Sequence, residues 1–370
     1  MNRIRTRTAR RGSAVVGGLL VVGLSAAALA GCAKHEPEPE PVEESPSPTA
    51  PVLAPLTGEE MPDFDLNHAA VTVKVPNAND GARPQVNLNS ADLVYEEQVE
   101  GGITRYVAVY HSRLPGLVGP VRSARPTDTS LVSPIGGAFV YSGSHSAFDE
   151  VLGSMAATRI DESHADVLTR DDSWGRGAPN NLFAHPQTAL AALDDDARTA
   201  QPAAQFAYAT KDQPASAAQS GDALTGLSVS VGADAPRRWT WDAAQSRWVR
   251  STAKGQIDST LQGDSADAAQ PEQIAADNVV VIRSVLGQPY DLGAKGLSPR
   301  YQLDGASGQG YVLSGGRVLD VLWSKADAAS PFVLTAADGA GEVRLQPGSS
   351  WVELVPDGSG QAVPEGRTAA

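Results

Sequence analysis

The chain reads as an α+β protein with a mixed α/β first domain and a β-rich second one, and three observations predict it. Residues 66–197 alternate strand-like runs with helical spacings, residues 222–357 carry strand-like runs between glycine turns, and a stretch rich in Ala, Gln, Ser and Asp at 198–221 separates them. Each of the two segments is long enough to bury a core. No internal repeat with a period of 20–50 residues interrupts this order.

In chain order, the first 31 residues hold five arginines and no acid, followed by an apolar run from about Ser13 that closes on Leu29-Ala30-Gly31-Cys32. A positive start, an apolar middle and small residues at a cleavage point make a secretory signal. The cysteine makes it a bacterial lipobox: residues 1–31 are expected to be removed, and Cys32 to become the lipidated first residue of the mature chain. More than one acyl chain is needed for stable anchoring. The competing reading, an uncleaved span, is weakened by three glycines in a run of about 18 residues, near the lower limit for crossing a bilayer. Cys32 is the only cysteine, so neither a disulfide nor a thiolate metal site is available. The expected address is the cell membrane, lipid-anchored on its extracytoplasmic face.

Residues 32–62 then read as the lipidated cysteine and a Pro/Glu-rich tether. Seven prolines and five glutamates in 36–56 exclude helix and sheet, because proline lacks a donor and like charges repel. In an extended state of about 3.1 Å per residue the tether reaches about 65 Å. The formal charge of the whole chain is −14, and loss of the basic leader makes the mature chain more acidic. Phosphate neutralisation requires clustered Lys and Arg, so nucleic acid is excluded as a partner.

Within the first segment, Val71 to Val75 reads as a strand, and 91–111 as a hairpin closed by the two-residue turn Gly101-Gly102. That turn pairs Gln98 with Arg105, Glu97 with Tyr106 and Tyr95 with Ala108. It places Leu93, Tyr95, Val99, Tyr106, Ala108 and Tyr110 on one face, with Arg105 diagonal to Glu96 and Glu100 on the other. A strand over Gly137 to Gly143 runs into Ser146-x-x-Asp149, a capping box, and Phe148, Val151, Leu152 and Met155 form the buried stripe of the following helix. Pro186 to Leu193 reads as a short helix. In the second segment, Trp239, Trp241 and Trp248 occupy two alternating runs, and strands follow at 278–282, 310–313, 317–323, 332–335, 342–345 and 351–355. Tryptophans at such spacing are core residues rather than a carbohydrate platform. Residues 358–370 read as a disordered tail.

The run ARPQVNLNSADLVYEEQVEGGITRYVAVYHS and the later GPVRSARP stand at matching spacing with Ala178-Pro179, Asn181-Leu182 and the finish PGSSWVELVP. In these the chain resembles the YerB-like family of bacterial lipoproteins, whose N-terminal and C-terminal domains have no assigned function. The resemblance covers most of residues 66–357 and implies a mixed α/β first domain, a β-rich second one and residence outside the membrane. It also marks two departures, Pro76 where the family often has an acid and Asn180 where it often has histidine.

Arg83, Arg105, Arg122 and Arg125 all fall in the matching motifs, and the last two precede Pro126, which reads as the first residue of a helix. Guanidinium groups bind carboxylate or phosphate through a planar fork. The four are therefore the candidate ligand-binding set, with ion pairs of Arg105 to Glu96 or Glu100 as the structural alternative. Glu96, Glu97 and His145, with Glu100 and His111, are the candidate acid/base set of an alternative reading. G-x-S-x-G is absent around Ser144, and no H-x-x-x-H or H-E-x-x-H spacing occurs, so neither a nucleophilic serine nor a metal is expected. No cofactor is expected. The function expected is a membrane-anchored lipoprotein that binds a cell-envelope partner, either a wall-synthesis protein or an anionic wall-derived ligand. A wall hydrolase or transferase using a first-domain Glu is the alternative, and an importer's solute-binding component is a weaker third.

Overall fold

The computed structural model describes residues 52–234 and 236–369. The signal segment 1–31, Cys32 and most of the proline-rich tether lie outside the described residues. The tether ends earlier than its composition suggests. Ala54, Leu56 and Met61 are buried and Leu53 bridges Glu60, so residues 52–62 belong to the folded body.

Runs of β-branched residues buried on both faces, such as Val71–Pro76 and Asn278–Ser284, favour the interior of a large sheet. They build one of eleven strands. From the Thr158–Ile160 edge it passes through Ala138–Val140, Val71–Pro76, Thr104–Tyr110 and Leu93–Gln98, then through Ser350–Pro356, Asn278–Ser284, Ala306–Ser314 and Arg317–Lys325 to Asp222–Ala223. Strand 350–356 lies parallel to strand 93–98, with Ser350 beside Leu93 and Glu353 beside Glu96. The two halves of the sequence thus share a single sheet. The result is α+β and rich in strand.

A second sheet of five strands, ordered Ala275–Ala276, Arg247–Thr252, Arg237–Asp242, Gly226–Ser230 and Gln361–Glu365, packs Trp239 and Trp248 into the same core as Val94, Tyr106, Ala108 and Tyr110. Short helices Asp128–Val132 and Asp149–Gly153 pack into the core that holds Leu93, Tyr95, Val107 and Val109. Trp239 and Trp248 are core, as their spacing predicts, and Trp241 is half-buried against them.

Four expectations are corrected. The hairpin turn has three residues, Glu100–Gly102, with Val99 and Ile103 closing it, so Glu97 faces Arg105, Glu96 faces Tyr106 and Tyr95 faces Val107. The slip of one residue splits the expected face. Leu93 and Tyr95 lie on one side of the sheet, while Tyr106, Ala108 and Tyr110 lie on the other, and Arg105 is on the opposite side from Glu96. No capping box forms at Ser146; instead His145 Nδ1 accepts from the Ala147 N–H at 3.2 Å and a 3-10 turn leads into the helix. The tail is not frayed at 361–365, which pair with 226–230, and the stretch 198–221 includes strand Ala207–Tyr208 and helix Ser216–Ser220.

The junction between halves is charged. In the parallel ladder Glu96 and Glu353 are neighbours, and both are buried. Arg250, on strand 247–252, reaches between them: its Nη2 donates to Glu96 and lies 3.9 Å from Glu353, while its Nη1 donates to Asp258 at 2.9 Å and to the Tyr106 hydroxyl at 2.7 Å. Its guanidinium carbon sits 4.9 Å from the Trp351 ring centre and 5.7 Å from that of Trp239. One cation therefore serves three buried carboxylates inside an aromatic cage.

Gly137 opens strand 138–140 at φ +68°, and a Cβ there would lie 2.1 Å from the Ala70 carbonyl oxygen. Gly137→Ala is expected to lower stability by about 1–3 kcal/mol, since both the backbone conformation and the close approach penalise a side chain. A denaturant melt checks this, and an unchanged midpoint would show that strands 71–76 and 138–140 can separate freely.

Candidate functional site

Strands 71–76, 138–140 and 158–160 run parallel, and the crevice beyond the carboxyl ends of such strands is a common ligand site. Here the chain fills it with its own segment. The Arg122 N–H donates to the Lys74 carbonyl at 2.9 Å, the Ser142 N–H to the Arg122 carbonyl at 3.0 Å, and the Ala124 N–H to the Gly143 carbonyl at 3.0 Å. The arginine motif is thus wedged where strands 71–76 and 138–140 part. The helix after it starts at Asp128, two residues later than expected, and Asp128 itself accepts from the Arg125 N–H at 2.6 Å. That end of the helix is occupied by its own acid.

The wedge divides the four arginines into two kinds. Arg83 donates Nε to Asn77 Oδ1 at 2.6 Å, Nη1 to Asn79 at 3.1 Å and Nη2 to the Asn77 carbonyl at 3.0 Å. Arg122 donates to the Pro179 carbonyl and, at 2.6 Å, to Asn180 Oδ1, with Asp80 at 3.6 Å. Both fasten loops to the sheet. Asn180, the departure from the family pattern, also donates to the Asp80 carbonyl at 2.8 Å, so the asparagine works here as a loop bracket.

Arg125 is held by Glu100, at 2.7 Å from Nε and 2.6 Å from Nη2, and Nη1 donates to the Ala124 carbonyl at 2.8 Å. Burial is the largest single influence and works to raise the Glu100 pKa, but the hydrogen bond and charge of Arg125, with further hydrogen bonds, together outweigh it and the carboxyl sits below its ordinary value. Arg105 differs. It is 9 % exposed, donates only through Nη1 to the Ser123 carbonyl, and makes no ion pair among the described residues. Its Nε and Nη2 lack a protein acceptor yet keep some contact with solvent. Arg125 reaches the same carbonyl at 3.3 Å. Burial, and next the charge of Arg125, push the Arg105 pKa down to about 9. Glu100, Glu97 and Asp128 pull the other way without forming an ion pair with it, so Arg105 stays protonated as a buried charge without a directly bonded carboxylate.

The acid/base candidates do not converge. Glu96 accepts from Asn77 at 3.0 Å, from the Thr104 hydroxyl at 2.6 Å and from Arg250, which leaves it no role in proton transfer. Glu97 lies in the other core, beside Lys74, whose Nζ also donates to Asp128 at 2.6 Å. His145 is a helix cap. His111 packs against His68 with ring centres 4.7 Å apart and planes tilted by 48°, and burial lowers its pKa to about 4. The Lys74–Glu97–Asp128 group was not singled out from sequence, although a lysine inside Val71-Thr72-Val73-Lys74-Val75 is a visible signal: a buried strand carrying one charge needs a buried partner.

Burial raises Glu97 to about 7 against the pull of Lys74, and raises Glu353 to about 8 with help from Glu96. Both folded values lie above the ordinary 4.5, so as pH rises through this window the unfolded chain gives up these protons first. On their account stability falls from about pH 4.5 until both are ionised near pH 8, and levels off above that. His111 works in the opposite sense, but only below its ordinary 6.5. The melting temperature is expected to fall by about 2–4 °C between pH 6.5 and 8.5, and Glu353→Gln should flatten the decline. A rise over that interval would contradict the buried acids.

Profiles of a family described as a protein of unknown function, DUF3048, match the chain at residues 56–200 for its N-terminal domain and 227–352 for its C-terminal domain. The chain is 25 % identical over 319 residues to the protein named "Putative lipoprotein YerB" of Bacillus subtilis (strain 168), covering 85 % of this chain and 89 % of that one. The crystal structure of YerB protein from Bacillus subtilis superposes with a TM-score of 0.66 at 23 % identity, over 84 % of this chain and 99 % of that one. That likeness is one of fold.

Proposed function

The chain belongs to the YerB-like family, with N- and C-terminal domains of unknown function, and from that premise we propose that it is a lipid-anchored protein of the outer membrane face which holds an anionic group of the cell envelope at Arg105 and Arg125. The lipobox ending at Cys32 and the name of the Bacillus relative support the anchor. One observation carries the binding reading: two neighbouring guanidinium groups share the Ser123 carbonyl, yet only Arg125 has a carboxylate. A planar anion bridging them would satisfy the open donors of Arg105 and relieve the repulsion between the two. A free carboxylate on a wall-derived peptide has that chemistry. Arg83 and Arg122, spent on loop contacts, are outside the site.

The test uses the full chain in mild detergent, incubated with purified cell wall. Capture is expected, and Arg105→Gln with Arg125→Gln should reduce it about tenfold or more. Capture that the double variant leaves intact would remove these residues from the role. Wall incubated with the parent or with Glu97→Gln should release no fragments, since Glu96, Glu97 and His145 never meet. In cells, Cys32→Ser should move the protein from the membrane to the soluble fraction.

A further inference from the structure

We propose that a cavity of about 210 Å³ between the two halves, lined by Glu59, Asp92, Ser112, Arg113, Arg247 and Asp277, binds a zwitterion of amino-acid or dipeptide size. The ammonium group faces Glu59 and Asp92, and the carboxylate faces Arg113 and Arg247. This site is separate from the Arg105–Arg125 pair and does not depend on it.

The cavity is built on a fixed buried acid. Asp92 is 3 % exposed and is held by the Ser112 hydroxyl, the Ser112 N–H at 2.8 Å and the His111 N–H at 2.7 Å. Neither Asp92 nor Glu59 has a cationic partner among the described residues, where ion pairs were found for most other buried acids. Burial raises the Asp92 pKa to about 6, and the charge of Glu59 adds to the rise. The opposite sign is only partly matched in the same space, where Asp277 pairs with Arg247 but not with Arg113. Arg113 is exposed, and its guanidinium makes no hydrogen bond or ion pair among the described residues. Arg247 spends Nη2 on Ser349 at 2.8 Å and the Ala275 carbonyl at 3.1 Å, with Asp277 at 3.4 Å, while its buried Nε has no acceptor.

Two acids without a cationic partner and the free guanidinium of Arg113 beside Arg247 select the ligand's charge pattern. A simple anion would meet Glu59 and Asp92, and a simple cation would meet Arg113 and Arg247. A molecule carrying both charges a few bonds apart completes both sets through charge-assisted hydrogen bonds. The volume is below the roughly 300–1,000 Å³ of pockets for drug-sized ligands, which limits the occupant to one or two residues.

Equilibrium dialysis of the full chain in mild detergent against radiolabelled alanine and alanyl-alanine tests this. Saturable binding of at least one is expected, N-acetylalanine and alaninamide should fail to compete, and Arg113→Ala should weaken binding about tenfold or more. Arg113 is a surface side chain, so its loss leaves the fold intact, and a melt of the same sample verifies that. Absence of saturable binding by the folded chain, equal competition by either blocked compound, or unchanged affinity in Arg113→Ala would each overturn the proposal.

Discussion

Arg250→Ala is expected to lower stability by about 3–5 kcal/mol, because it leaves a buried carboxylate without its cation. Glu96 and Glu353 are neighbours in a parallel ladder, and Asp258 accepts from the same guanidinium. With Arg250 gone, Asp258 keeps Arg237 at 3.3 Å and Glu353 keeps the Trp239 indole N–H at 2.8 Å, while Glu96 keeps Asn77 and Thr104 as donors but has no cation. Glu96 would then be a buried carboxylate without a cation, beside a Glu353 whose protonated form burial and Glu96 already favour. The effect should also be local to the junction of the halves, since Glu96 and Tyr106 come from one and Arg250, Trp239 and Trp351 from the other. Arg250→Ala combined with Glu96→Gln should recover part of the loss, because the second change removes the carboxylate left without a cation. Denaturant melts of the parent, both single variants and the double variant measure this coupling. Additive losses would show that Arg250 does not act through Glu96.

Much of the strand content was legible in the sequence, because β-branched runs and glycine turns state it directly. Val71–Pro76, Asn278–Ser284 and Ser350–Pro356 lie within a residue or two of where their composition puts them. The hairpin register was not legible. Alternation fixes a face only when one side is wet, and both sides of strands 93–98 and 104–110 are covered. Nor could the sequence show that strand 350–356 pairs with strand 93–98, because parallel pairing across some 250 residues leaves no local mark. The edge strand 361–365 was hidden for a related reason: its Pro364 and exposed Val363 suit an edge and read as a tail.

The candidate site was legible in residue type and not in grouping. All four arginines stood out in an acidic chain, yet type alone could not separate Arg83 and Arg122, which bracket loops, from Arg105 and Arg125. That division depends on acceptors brought in from Asn77, Pro179, Asn180 and Glu100. The pairing of Arg105 with an acid failed because the turn is one residue longer, which moves Glu96 to the other side of the sheet.

A buried charge without a directly bonded carboxylate is a place where stability is given up for another role. Arg105→Gln should therefore leave the melting temperature unchanged or raise it, since the variant removes the repulsion from Arg125 and forgoes one hydrogen bond to a carbonyl. The most direct test is a calorimetric titration of a soluble, carboxylate-bearing wall peptide into the full chain in mild detergent, comparing the parent with Arg105→Gln. The account predicts an affinity about tenfold or more lower in the variant, the loss of a hydrogen bond to a charged group, with no fall in melting temperature. Unchanged affinity together with a lower melting temperature would contradict it and make Arg105 a structural residue.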